Sequence, residues 1–401
     1  MPPAPHVHAT PRFASRIDVD LTPNALAQAL AERRAAGARV LDLTASNPTQ
    51  AGFAYPEAEI LAALAAPAAL RYEPEPGGLP AARAAVSAYY ASRGEHVDAE
   101  DVLITASTSE SYALLMKLLA EPGDEFLVPA PSYPLFDVLA SLESVALARY
   151  PLERMPGAGW RIGRAGLERA LSPRTRAIVV VHPNNPTGSF VQADEREWLE
   201  ALCARRGLPL IADEVFLDYG SGAAPAPSFA AAHGALAFAL SGLSKVAGLP
   251  QLKLGWIALA GPARLRREAR DRLEFIADAY LSVGAPAQHA AAALLGLRGR
   301  IQPQILARVA ANESLLRERC ARAPGCRLLE REGGWYAVLE LRRELDEEAL
   351  CLRLLEEHGV LIHPGFFFDF ERGGVLVVSL LARPEELAEG CERAIECANS
   401  M

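Results

Sequence analysis

Ser241-Gly-Leu-Ser-Lys245-Val-Ala-Gly-Leu-Pro-Gln-Leu-Lys253-Leu-Gly-Trp256 holds two of the three lysines in a chain of 401 residues. The third is Lys117, and the rest of the 40 cationic side chains are arginines. An Ala-rich, arginine-over-lysine composition is what a GC-rich genome writes, so the bias itself needs no functional cause. It still acts as a filter. Arginine keeps its proton in a protein, whereas a lysine amine can be desolvated, deprotonated and made nucleophilic. A lysine that persists among arginines is therefore a candidate for chemistry.

Working outward, this stretch lies between two apolar runs, Ala235–Leu240 and Gly255–Ala260, that read as strands. Further upstream, helical and strand patterns alternate. Ala81–Arg93 has helical spacing and Val102–Thr105 reads as a short strand. Ser109–Leu119 reads as a helix that ends at the turn signal Pro122-Gly-Asp124. Strands are expected at Phe126–Pro129, Val145–Tyr150, Ala177–Val181 and Leu208–Ala212, with a helix over Ala193–Arg206. Ala177-Ile-Val-Val-Val181 is unbroken apolar sequence, the mark of a strand buried on both faces. Such alternation predicts a mostly parallel sheet with helices on both sides. Helical patterns dominate from Ala263 to Arg322, and the last 80 residues mix strands (Trp335–Leu341, Val375–Leu380) with amphipathic helices. The expected organisation is an N-terminal arm and part of a small domain over 1–50, a large domain over 51–300 and a small α+β domain over 301–401.

Composition excludes several classes of function. Hydrophobic residues make up 51% and charged residues 22%, as in ordinary soluble globular proteins. A net charge of −9, with no basic run interleaved with aromatics, argues against nucleic-acid binding. The six cysteines form no CxxC pair and stand beside no histidine cluster, so a metal site is not expected and the thiols read as reduced. The N-terminus lacks signal-peptide character, and no apolar run reaches the roughly 18 residues of a spanning helix. A soluble cytoplasmic protein, not engaged with membranes, is the expectation.

Four strand ends carry polar residues, and in open α/β sheets ligands sit beyond the carboxyl ends of the strands. Ile104-Thr-Ala-Ser-Thr108-Ser109-Glu110 places small hydroxyl residues where a helix opens. Such an opening suits an anion, through free N–H groups and hydroxyls, and equally suits a capping box with no ligand. His182-Pro-Asn-Asn185-Pro-Thr-Gly188 follows a buried strand, where Asn-Pro also makes an ordinary turn. Asp213 ends another buried strand and needs a cationic partner or several donors. Arginine, lysine or a protonated pyridine nitrogen would each serve. The fourth end is the Lys245 stretch.

In this order the four resemble the class I/II aminotransferases of the fold-type I pyridoxal 5′-phosphate (PLP) enzymes. The resemblance runs from about Asp42 to the C-terminus and rests on Asn185-Pro-Thr-Gly188, Asp213-Glu-Val215 and Ser244-Lys-x-x-Gly-Leu-Pro-x-x-Lys-x-Gly-Trp256, about 30 residues apart. It implies a large domain with a seven-stranded, mostly parallel sheet and a small α+β domain. It further implies a homodimer whose sites are shared, and ping-pong transfer of an amino group between an amino acid and a 2-oxo acid. Lys245 matches the Schiff-base lysine and Asp213 the partner of the pyridinium nitrogen. Asn185 matches the asparagine that bonds the ring 3-oxygen, and Tyr133 the aromatic that stacks on the ring. Thr108, Ser109, Ser244 and Lys253 match phosphate-binding positions, and Tyr72 matches a tyrosine that reaches the partner's phosphate. A PLP β-lyase or decarboxylase is the alternative on the same scaffold, and a non-catalytic PLP-binding regulatory domain the remoter one.

Four positions depart from the family pattern. Lys253 stands where an arginine is usual, and a lysine binds phosphate as a point charge. Gly242 replaces a Ser or Thr, with Ser241 one place earlier. Phe216 replaces a tyrosine that also bonds the ring 3-oxygen, leaving that task to Asn185 unless Tyr219 folds back. Val377 occupies the position of the arginine that forks onto the substrate carboxylate. Either Arg372 or Arg383 serves instead, or the carboxylate is held elsewhere, or the substrate has none. Aromatics at Phe216, Trp335-Tyr336 and Phe366-Phe367-Phe368 are expected to line the pocket or to fill the small-domain core. Lys117 reads as solvated.

Overall fold

The computed structural model describes residues 13–155, 157, 159–222, 225–342 and 345–400. Residues 1–12 of the expected N-terminal arm lie outside these residues. Their strands are β1 (Leu41–Asp42), β2 (Val102–Thr105), β3 (Glu125–Ala130), β4 (Ala146–Met155), β5 (Gly159–Ile162), β6 (Thr175–Val181), β7 (Leu210–Asp213), β8 (Ala237–Gly242), β9 (Gly255–Ala260), β10 (Cys326–Leu328), β11 (Tyr336–Leu341), β12 (Val360–Leu361), β13 (His363–Pro364) and β14 (Val375–Ser379).

Eight of these form one mixed sheet in the order β2-β9-β8-β7-β6-β3-β4-β5. From β8 to β4 every neighbouring pair is parallel, β9 runs against both of its neighbours, and β5 folds back on β4. The seven expected strands are all present. The eighth, β5, was not anticipated. β4 runs on to Met155, and the β4–β5 hairpin lies at the sheet edge with mostly exposed and half-buried residues. It therefore lacks the buried apolar run that marks the central strands.

The central strands are apolar because both faces are covered. Ala177, Val179 and Val181 pack on one side with Leu115, Phe126 and Phe238. Ile178 and Val180 pack on the other with Leu167, Leu199 and Leu202. Alternate residues of one strand thus feed two cores, and each buried Val or Ile contributes about 1.5–3 kcal/mol.

The remaining strands make a four-stranded antiparallel sheet, β10-β11-β14-β13, and a parallel pair, β1 with β12. One core cluster joins Leu26, Leu41 and Leu43 to residues from Ile301 through Ala398, so both chain ends build the same layer. Among the described residues no helix is long and apolar enough to cross a membrane, and no group of His, Cys, Asp and Glu is arranged to hold a metal ion.

Register brings the strand ends together. Val181, Asp213 and Leu240 stand side by side across β6, β7 and β8. Because β9 is reversed, its first residue, Gly255, pairs with both Gly242 and Thr105. The segments 182–188, 213–216, 241–245 and 105–109 therefore leave the sheet at one edge.

Candidate active site

At that edge lies a cavity of about 310 Å³. Thr108, Ser109, Tyr133, Asn185, Asp213, Ser244, Lys245 and Lys253 all line it, joined by Ser46, Ser107, Tyr112, Phe216 and Tyr336.

The helix Thr108–Leu119 supplies the hydroxyl-rich wall. Ser107 is its N-cap, accepting from the Glu110 N–H at 3.2 Å, and Glu110 accepts from the Ala106 N–H at 2.5 Å. The serine N-cap forms, although Glu110 reaches back to Ala106 rather than closing a capping box on the Ser107 N–H, and the helix start still lines a cavity. A helix N-terminus of this kind favours an anion. Lys253 adds the positive charge there, held at φ 48° after the turn Pro250–Leu252.

Asp213 ends β7 fully enclosed. Its carboxylate accepts from the Tyr112 hydroxyl at 3.2 Å and from the Val215 N–H at 3.2 Å. Burial pushes its pKa up to about 6, opposed by those two bonds and by Lys245. Lys245 sits in the short helix Leu243–Val246, and burial lowers its amine to about 8, against the charge of Asp213. Its Nζ lies 4.9 Å from the Trp335 ring centre and 5.7 Å from that of Phe216, so aromatic faces replace water around it. A desolvated amine near neutral pKa is the nucleophile and base that the sequence singled out.

Sequence reasoning missed three contributors. Tyr112 bonds Asp213 from the helix wall, a contact that only the packing of that helix on β7 creates. Ser46 and Ser107 complete the lining. Of the expected aromatics, Tyr336 and Phe216 line the cavity and Trp335 lies fully buried behind them, while Phe366 is exposed. Tyr219 does not fold back toward the cavity, since its hydroxyl donates to the Lys245 carbonyl at 2.6 Å. Lys117 is not simply solvated: it pairs with Glu143 at 2.5 Å and lies 5.9 Å from the Tyr280 ring centre.

Two departures acquire structural causes. At Gly242 a Cβ would stand 2.9 Å from the Gly255 Cα and 3.0 Å from the Leu254 carbonyl oxygen, so glycine permits the close approach of β8 and β9. Ser241 does not stand in for the missing hydroxyl, because alternate residues of a strand face opposite ways and it lies outside the cavity. Val377 is completely buried on β14, paired with Val338 and His363. Neither arginine proposed to replace it reaches the cavity: Arg372 pairs with Glu340 at 3.2 Å, and Arg383 is exposed. Tyr72, 81% exposed, faces a separate depression with Tyr280 and not this cavity.

The family model for aminotransferase class I and II matches residues 38–393. The chain belongs to that family. It is an aminotransferase, and it is 30% identical over 377 residues to an alanine aminotransferase of Mycobacterium bovis, covering 91% of this chain and 87% of the relative. Over 270 residues it is 33% identical to the glutamate-pyruvate aminotransferase AlaA of Escherichia coli K12, covering 65% of this chain and 64% of the relative. Among solved structures, an aminotransferase from Escherichia coli superposes with a TM-score of 0.84 at 26% identity, covering 98% of this chain and 99% of the other. The alanine aminotransferase of Pyrococcus furiosus superposes at 0.87, with 24% identity and coverage of 97% and 100%. Members of this family act on an amino acid and a 2-oxo acid and typically use PLP.

Proposed function

We propose that this aminotransferase works with PLP in the cavity at the sheet edge, and that Lys245 is the residue that engages it. The single observation that carries the reading is the pairing of a desolvated Lys245 amine with a buried Asp213 carboxylate in one cavity, opposite a hydroxyl-lined helix start. The fit is supported by an unfilled requirement: Asn185 lines the cavity with its Oδ1 buried and unpartnered, so no protein group fixes its amide and the Nδ2 can be turned to donate to a ring oxygen. When bound, PLP supplies a carbonyl that captures an amine and a ring that accepts the electron pair released at the substrate Cα.

The chain's own residues divide the remaining work. Lys245 carries a pKa of about 8, so a useful fraction is neutral at physiological pH and its Nζ can take and return the Cα proton. Asp213, costly to ionise alone in this enclosure, is stabilised once a cationic nitrogen lies against it. Thr108 and Ser109 N–H groups, the Ser107 and Ser244 hydroxyls and the Lys253 ammonium hold a phosphate dianion. Asn185 orients a ring oxygen, and Tyr133, 39% exposed at the mouth, covers a planar ring. In the same reading two copies associate and Tyr72, exposed and away from its own cavity, contributes to the other's phosphate site. The division into a large domain over 51–300 and a small domain built from both chain ends belongs to this reading. So does a cytoplasmic location, supported by six unpaired cysteines.

Visible absorbance of the protein loaded with PLP tests the proposal. The loaded protein should absorb near the visible edge, lose that absorbance with L-alanine and recover it with a 2-oxo acid; Lys245→Ala should abolish it. No absorbance in the loaded wild type would sink the reading.

A further inference from the structure

Two cations line the cavity, Lys245 and Lys253, and the reading above commits one to covalent and proton chemistry and the other to phosphate. Among the described residues no arginine lines it. Three arginines contributed by the C-terminal third of the chain are occupied elsewhere. Arg331 pairs with Glu313 and donates to the Gly334 carbonyl, Arg308 donates to the carbonyls of Ala51 and Leu381, and Arg372 is on Glu340.

The small-sheet wall of the cavity is neutral. Tyr336 and Ser46 line it, Tyr336 pairs with Ser379 across β11 and β14, and further along the same two strands Val338 pairs with Val377. A carboxylate delivered here exchanges water for hydroxyl and amide donors and gains no guanidinium. A bond to an ionised partner is about twice as strong as a neutral one, and that advantage is what normally separates an acid from its amide. A carboxamide or hydroxymethyl group meets the same donors at a lower desolvation cost.

We infer that this site accepts amino donors whose Cα substituent is uncharged, a carboxamide or a hydroxymethyl group, nearly as well as it accepts α-amino acids. The inference rests on the PLP reading. In the reaction the donor's Cα–N bond breaks and a C=O bond forms with oxygen from water, a two-electron oxidation at Cα. The amino group passes to a 2-oxo acid, whose carbonyl carbon is reduced by two electrons and whose oxygen leaves as water. An amino-acid amide and a 2-oxo acid thus give a 2-oxo amide and an amino acid.

The test compares L-alanine with L-alaninamide on the loaded wild-type enzyme, at matched concentrations of free amine and with 2-oxoglutarate as acceptor. The two kcat/KM values should agree within about tenfold, less than the factor a guanidinium's charge-assisted bond is worth; a wider gap in favour of the acid overturns the inference. A non-reacting pair, propionate and propionamide, read by intrinsic fluorescence, should show Kd values within the same factor, and a stronger preference for propionate overturns it. Val377→Arg, if folded by circular dichroism, should raise the acid-to-amide ratio about tenfold or more. Arg71 is exposed beside Tyr72 in the separate depression, and loss of acid turnover alone in Arg71→Ala would show a cation delivered by a second copy, and would also overturn it. Absence of visible absorbance and of turnover with either donor would instead mean that the PLP reading had failed.

Discussion

The Tyr219 hydroxyl donates to the backbone carbonyl oxygen of Lys245 at 2.6 Å. Its ring is wedged against Trp335, 5.1 Å between centroids, and that indole in turn covers the Lys245 amine. Lys245 is thus fixed at its backbone from below and desolvated at its tip from above, by neighbours that meet only in the folded chain. The following residue is held too, since Gln302 donates to the Val246 carbonyl at 2.6 Å and to Asp218 at 2.8 Å.

Tyr219→Phe removes that donor and leaves the ring in place. The carbonyl keeps the Gly248 N–H at 3.2 Å but loses its shorter bond, which costs about 0.5–1.5 kcal/mol. The expected outcome is a lower urea midpoint with unchanged slope, together with a fall in kcat larger than any change in PLP affinity. Unaltered stability and kcat would show that the bond holds nothing.

Lys245 in the PLP-free protein should react with an aldehyde along a titration curve centred near pH 8. Asp213 raises that value by its negative charge, so Asp213→Asn should move the midpoint lower, as measured by reductive trapping across pH. The same shift bears on stability. The folded pKa lies below the ordinary 10.5, so the unfolded chain binds the extra proton between about 8 and 10.5. Stability from this group is withheld below that window and returns as pH rises through it.

His182 is held neutral by burial, its pKa lowered from 6.5 to about 3. One ring nitrogen accepts from the Val191 N–H at 3.0 Å and the other faces the Pro227 carbonyl at 3.2 Å. The unfolded chain takes up a proton below 6.5 that the folded chain refuses, so this residue removes stability as pH falls toward 3. Buried Glu214, raised from 4.5 to about 8, acts with the opposite slope between those values. Subtracting the stability–pH curve of His182→Gln from that of the wild type isolates the histidine; a flat difference from pH 7 to 4 would contradict the assignment.

Gly242→Ser supplies a hydroxyl of the kind the family resemblance led one to expect here, and it is expected to harm this chain. The new Cβ would sit 2.9 Å from the Gly255 Cα, backbone that cannot swing aside. Overpacking of this kind costs about 1–3 kcal/mol. Thermal unfolding should fall by several degrees, and a variant as stable as the wild type would mean that β8 and β9 have room to separate.

Much of this architecture was legible in the chain. Val102–Thr105 and Gly255–Ala260 coincide with β2 and β9, and the helix Ala193–Arg206 begins and ends where its spacing indicates. These elements are either fully buried or bounded by a capping box and a terminal glycine, so local sequence and packing agree. The β4–β5 hairpin escaped because an edge ribbon has no buried run to read. Site residues were legible where the chemistry demands a rare type at a strand end, as at Lys245 and Asp213. Tyr112 and Ser46 were not, because a tyrosine in a helix and a serine in a loop carry no local mark of what they will face.

By itself, the sequence determined the alternating elements, the doubly buried central strands and the single lysine suited to chemistry, because each depends on residue type and spacing along the chain. Tertiary structure alone decided what surrounds that lysine. The reversed β9 carries Lys253 to the helix start, Tyr219 is committed to the Lys245 backbone, and of the arginines that might have met a carboxylate Arg331 and Arg372 are paired elsewhere while Arg383 is exposed. Those outcomes depend on which side chains compete for one another across hundreds of residues, and no local pattern records that competition.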